Sequence, residues 1–92
     1  MNENGYYTMY ASDGTSNIYQ INGETMKVER KIEVWNTITN RKQERINELE
    51  FVDGFIYANV WMLNILIKID PSTGNIVKQY NIESLQRAED NL

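Results

Sequence analysis

Turn chemistry punctuates this chain and holds it to short antiparallel strands. Asp13-Gly14, Asn22-Gly23, Asp53-Gly54 and Pro71-Ser72-Thr73-Gly74 are all turn signals. Short runs rich in β-branched and aromatic residues lie between them: Tyr6–Tyr10, Asn17–Asn22, Met26–Val34, Ile46–Val52, Phe55–Trp61, Ile65–Ile69 and Ile76–Ile82. These read as strands of an all-β fold. The sole proline, Pro71, lies in a turn. Residues 35–45, with Arg41, Lys42 and Arg45, read as a polar connecting loop. Only the tail, 83–92, has a weak helical pattern.

The strands also repeat. Tyr10-Ala11 falls on Tyr57-Ala58, and Asn17–Asn22 falls on Ile65–Asp70. Thr25 falls on Thr73, Val28 on Ile76, Arg30 on Lys78 and Val34 on Ile82. The period is roughly 47 residues with one single-residue slip, the length of a four-stranded propeller blade. A plain antiparallel meander is the competing reading. On the blade reading, 1–34 hold the last three strands of one blade and 46–82 a complete second blade. The chain is then a fragment of under two blades. Blades bury their faces on neighbouring blades, so missing blades, a second chain or a homo-oligomer are expected to cover its open edges.

Composition narrows the function. Hydrophobic residues make up 41% and aromatics 11%, too much for a disordered tail. Nine Lys+Arg against thirteen Asp+Glu leave a net charge of −4, without the basic surplus of a nucleic-acid binder. The longest apolar run is far below the ~18 residues of a membrane-spanning helix. Met1 is not followed by a basic and then hydrophobic stretch, so no signal peptide is read. There is no histidine and no cysteine. That removes the commonest general base, the commonest zinc ligands and thiol chemistry together. No metal or other cofactor is expected, and carboxylates, amides, tyrosines, tryptophans or lysines must carry any chemistry.

Those groups gather in 46–61. A two-residue turn at Asp53-Gly54 pairs Val52 with Phe55. Continued without interruption, that register sets Asn47 opposite Val60 and Ile46 opposite Trp61. Asn47, Glu48 and Trp61 then meet at the open end of one hairpin, on the rim of a propeller channel. An amide offers donor and acceptor, and an indole offers a flat apolar wall with one donor. Glu48 and Glu50 lie on a strand expected to be covered on both faces, where desolvation raises a carboxyl pKa toward acid/base use. Plainer readings stand beside these. The glutamates could pair with the 41–45 cations, Trp61 could pack in the core, and Asn47 could cap a strand start. Ser12-Asp13-Gly14 reaches the same rim and could be a simple turn. Asp70-Pro71-Ser72-Thr73-Gly74 looks like a calcium loop only superficially.

Asn47-Glu48-Leu49-Glu50, Val52-Asp53-Gly54, Tyr57-Ala58-Asn59-Val60-Trp61 and Ile67-Lys68-Ile69-Asp70-Pro71 with Thr73-Gly74 together resemble the plant and bacterial type of glutaminyl-peptide cyclotransferase. Ala11–Thr15 resembles that family's preceding blade, so the resemblance spans roughly Tyr10 to Ile82. It implies a five-bladed β-propeller. It also implies cyclisation of an N-terminal glutamine to pyroglutamate, with release of ammonia and no catalytic zinc. The expected substrate is an N-terminal glutaminyl peptide or protein.

By position, Glu48 becomes the candidate catalytic carboxylate, contacting the substrate's amine. Asn47 would hold the substrate amide or its oxyanion, Trp61 would wall the pocket, and Glu50 would bind substrate or support the site. The family's principal acid/base glutamate belongs to an earlier blade and its lysine to a later one. This chain alone is therefore expected to be inactive. Met62-Leu63 depart from the polar residue common after the tryptophan. The family resemblance also implies a secretory, extracellular or periplasmic location. Two other functions compete. One is a non-catalytic propeller segment that binds a peptide or protein at the rim. The other is a self-contained β-domain that dimerises through its edges.

Overall fold

A computed structural model describes residues 7–82. The expected helical tail lies outside the described residues. Within them the fold is all-β, in three antiparallel sheets. Sheet 1 comprises β1 (Thr8–Ser12), β2 (Asn17–Asn22) and β3 (Val28–Glu33), in that order. The connector carries β4 (Trp35–Asn36) and β5 (Arg41–Lys42), a two-stranded ladder. The last sheet runs β6 (Ile46–Val52), β7 (Phe55–Val60), β8 (Ile65–Ile69) and β9 (Ile76–Asn81).

Local chemistry sets these limits. In β7, Ile56, Ala58 and Val60 are buried and alternate with Phe55, Tyr57 and Asn59 on the other face. Asp53 and Gly54 have φ of 50° and 86°, both positive as a type I′ turn requires, and Val52 pairs with Phe55 as expected. β3 starts at Val28 rather than Met26. Met26 has φ of 60° inside a turn whose ends are joined by the Asn22 N–H donating to the Lys27 carbonyl. The connector is more ordered than a polar loop: the Asn36 side-chain oxygen accepts from the Ile38 and Thr39 N–H groups and closes the β4–β5 turn.

The internal repeat is visible in the irregularities. Sheet 1 shifts register between Gln20 and Ile21; the last sheet shifts at the matching Lys68 and Ile69. The turns that follow correspond as well. The Asn22 side chain accepts from Glu24 and Thr25 N–H groups, and the Asp70 carboxylate accepts from the Ser72 N–H. Met26 N–H donates to the Asn22 carbonyl as Gly74 N–H donates to that of Asp70.

One core joins the sheets. Ile18 and Ile32 of sheet 1, with Val34 just past β3, pack with Ile46, Ile56, Ala58, Val60, Ile67 and Ile69. Each branched aliphatic side chain buried this way contributes about 1.5–3 kcal/mol. Tyr10 stacks obliquely on Phe51 with ring centroids 5.3 Å apart, and Arg30 donates to the Pro71 carbonyl. The Val34 N–H donates to Ser16, and the Trp35 N–H donates to Gly74 at 2.9 Å.

Candidate functional site

The site is built on an irregularity the uninterrupted register does not contain. The β6–β7 ladder holds from Val52–Phe55 to Leu49–Ala58, then slips, so that Ile46 faces Val60. This corrects the expected pairing of Asn47 with Val60 and of Ile46 with Trp61. Asn47 and Glu48 together oppose Asn59, which makes a β-bulge. The cause is burial. Leu49 and Phe51 share a face with Ala58 and Ile56, and strict alternation would turn Ile46 away from them. The extra residue restores Ile46 to the core, where it is fully buried.

Asn59 holds the bulge. Its side-chain oxygen accepts from the Glu48 N–H at 2.8 Å, supplying a partner for a backbone donor that the slipped ladder leaves open. From the other side, the Ser12 hydroxyl donates to the Asn47 carbonyl at 2.6 Å. The Ile46 N–H donates to the Thr15 carbonyl and the Trp61 N–H to the Arg45 carbonyl. These bonds gather 12–16, 45–48 and 60–61 at one edge. Ser12, Thr15, Asn47 and Trp61 are therefore joined at one edge of the two sheets.

The side chains divide differently. Glu48 and Glu50, with Tyr57, Asn59 and Leu66, line an open concavity of roughly 560 Å³ on the outer face of the last sheet. Asn47 and Trp61 do not line it. Trp61 is 59% exposed, so it is not a core residue. Both glutamates are solvent-exposed, and the expected double covering of β6 is absent on this face among the described residues. Lys42 pairs with Glu33 at 3.3 Å and not with either glutamate.

Asp13, at the same rim, is organised as a turn. Its carboxylate accepts from the Thr15 hydroxyl, the Tyr19 hydroxyl at 2.7 Å and the Thr15 N–H at 3.0 Å. Led by the Thr15 hydroxyl, these bonds hold its pKa below the usual aspartate value. The same carboxylate, with some burial, raises the pKa of Tyr19. Among the described residues no three His, Cys, Asp or Glu side chains are grouped to hold a metal ion. The residue that sequence reasoning underused is Asn59. A lone amide inside the apolar alternation of β7 was the available signal.

A family model described as glutamine cyclotransferase matches residues 4–92. The chain belongs to the glutamine cyclotransferase family. It is 33% identical over 79 residues to a glutaminyl-peptide cyclotransferase of Arabidopsis thaliana, a match covering 86% of this chain and 24% of that protein. Its structure is similar to the crystal structure of Myxococcus xanthus glutaminyl cyclase, with a TM-score of 0.78 and 30% identity. That match covers 91% of this chain and 35% of the other. The chain thus spans about a quarter of the curated relative and about a third of the solved one. The family, read from Asn47–Glu50 and Tyr57–Trp61, is as the sequence implied.

Proposed function

We propose that this chain supplies one part of a glutaminyl-peptide cyclotransferase site, with each large sheet acting as a blade of a five-bladed β-propeller. The observation that carries this reading is the Asn59-pinned bulge. It turns the Glu48 side chain to the concavity while the backbone of Asn47 stays at the edge that carries Trp61, on a chain of this family.

The reaction is intramolecular. The free α-amine of an N-terminal glutamine attacks its side-chain amide carbon, and a new C–N bond closes the five-membered ring. The tetrahedral oxyanion collapses, the old C–N bond breaks, and the proton lost by the amine goes to the departing nitrogen, which leaves as ammonia. No metal is required by this acid/base scheme. Holding amine and carbonyl together supplies much of the rate. Glu48 contacts the amine and takes part in its deprotonation. The Asn47 amide N–H donates to the oxyanion, Trp61 walls the substrate, and Glu50 supports the concavity floor. The main proton shuttle and further walls come from blades beyond this chain, so the isolated chain is inactive.

The exposure of Glu48, Glu50 and Trp61 gives a second reading some support: a rim that binds a peptide or protein without catalysis. A chimera separates the two. This chain replaces the matched stretch of the Arabidopsis relative, and ammonia release from a glutaminyl dipeptide is followed. The cyclase reading expects turnover that falls by about 10²-fold or more in Glu48→Gln. A folded chimera that binds the dipeptide without turnover, or one indifferent to Glu48→Gln, contradicts it.

A further inference from the structure

The loop between β7 and β8, residues 61–64, begins where the concavity stops. Asn59 and Leu66 line the concavity and form the last cross-strand pair before that loop. The loop's first three side chains are apolar and open to solvent: Trp61 is 59% exposed, Met62 72% and Leu63 51%. Its backbone is nonetheless held. The Trp61 N–H donates to the Arg45 carbonyl at 2.8 Å and the Leu63 N–H to the Val60 carbonyl at 3.1 Å. The Ile82 N–H donates to the Asn64 carbonyl at 2.9 Å.

The loop between β1 and β2, residues 13–16, is its counterpart. The Val34 N–H donates to the Ser16 carbonyl as the Ile82 N–H does to that of Asn64, and Gly14 has φ of 84° where Met62 has 69°. A following sheet is already packed beside this first loop, through the Thr15 carbonyl with the Ile46 N–H and the Ser12 hydroxyl with the Asn47 carbonyl. Asp13, Gly14 and Thr15 stay exposed all the same. A neighbouring sheet therefore leaves the tip of such a loop uncovered. Nor does the turn itself require apolar residues, since the first loop is built without them. Glycine adopts this positive φ freely, whereas Met62 keeps its side chain there against left-handed strain. Neither core nor turn accounts for Trp61, Met62 and Leu63.

We propose that Trp61, Met62 and Leu63 receive the first two residues after the N-terminal glutamine and select substrates with apolar side chains there. This rests on the cyclotransferase reading of the site. A glutamine bound through its amine and side-chain amide carries the rest of its peptide on the α-carbonyl, so that peptide leaves along the rim. Trp61 lies two residues past Asn59, about 7 Å along an extended strand, which one or two residues of peptide reach. The indole gives a flat wall, and the flexible thioether of Met62 fits apolar side chains of different shape. These contacts are the same in ground and transition state, so they lower KM and leave kcat as it is.

The chimera with the Arabidopsis relative is assayed on three tripeptides: glutamine followed by two leucines, two glycines or two glutamates. The leucine peptide is expected to have the lowest KM. Met62→Gly with Leu63→Thr writes the residues of the first loop into the second. It is expected to raise KM for the leucine peptide about tenfold relative to the glycine peptide, with kcat kept. Leu63→Lys is expected to shift preference about fivefold from the leucine toward the glutamate peptide. Thermal melts verify folding, and Leu63→Lys decides the matter if the double variant is not folded. Turnover with an unchanged ranking of the peptides in these variants, or a wild-type chimera that does not favour the leucine peptide, overturns the proposal and leaves the cyclotransferase reading standing. A folded chimera that turns over none of the three overturns that reading, and the proposal with it.

Discussion

At the scale of single residues, two side chains fix the local backbone, one at the site and one in the turn after β8. Asn59 is one, because its amide oxygen is the partner of the Glu48 N–H at the bulge. Asn59→Leu keeps a side chain of similar size and removes that acceptor. We expect a loss of about 1–3 kcal/mol in denaturant unfolding. The Glu48 amide should also exchange faster with solvent, while exchange at Ile56 is unchanged. Equal exchange at Glu48 would show that the bulge stands without Asn59. Asp70 is the other. The Ser72 hydroxyl and N–H, in that order, hold its carboxyl below the ordinary aspartate value. A carboxyl depressed on folding contributes stability above its unfolded pKa of about 3.9, which is lost as pH falls through the lower folded value. The first repeat has Asn22 at this place, making the same kind of turn with an amide. Asp70→Asn is therefore expected to fold normally at neutral pH and to lose less stability below about pH 3.9 than the wild type. A steeper acid loss in the variant would contradict the assignment.

At the scale of elements, the turn after β8 and its counterpart after β2 show what the sequence could and could not disclose. The strand runs were legible because β-branched and aromatic residues alternate between glycine-bearing turns. Ile46–Val52 and Ile65–Ile69 have the limits their residues imply. The β6–β7 register was legible only from the turn to Leu49–Ala58. Beyond that, the slip follows from where the assembled core needs Ile46, and no local signal carries that demand. The division of the site was hidden for the same reason, since strict alternation places Asn47 and Glu48 differently from a bulge. The repeat also grades its own turns. Gly74 has φ of 81° and sits against the Glu33 backbone, so a Cβ there meets the Glu33 carbonyl oxygen. Met26, its counterpart, carries a φ of 60° with an exposed side chain. We expect Gly74→Ala to cost about 2–4 kcal/mol. Met26→Gly should gain up to about 1 kcal/mol, because it removes left-handed strain that exceeds the added chain entropy. Thermal unfolding of the two variants measures both, and a stabilising Gly74→Ala would refute the close approach.

At the scale of the whole molecule, nine of the described residues form a core shared by two sheets, and the concavity lies on a sheet face that the described residues leave open. Asn47 is tied to one edge by the Ser12 hydroxyl and Trp61 by the Arg45 carbonyl, but Glu48 and Glu50 face a space that the described residues do not close. The sequence made the family legible through the Asn47–Glu50 and Tyr57–Trp61 pair. The chain covers 24% of its curated relative, so nothing about the remaining length of such a protein could be read from it. The central claim is that these residues are a necessary part of a cyclotransferase site and not the whole of it. Ammonia release from a glutaminyl dipeptide, measured on the isolated chain and on the chimera with the Arabidopsis relative, tests it most directly. The account predicts turnover by the chimera, reduced by Glu48→Gln, and none by the isolated chain at any concentration. Turnover by the isolated chain that disappears in Trp61→Ala would place a complete site within these 92 residues and contradict it.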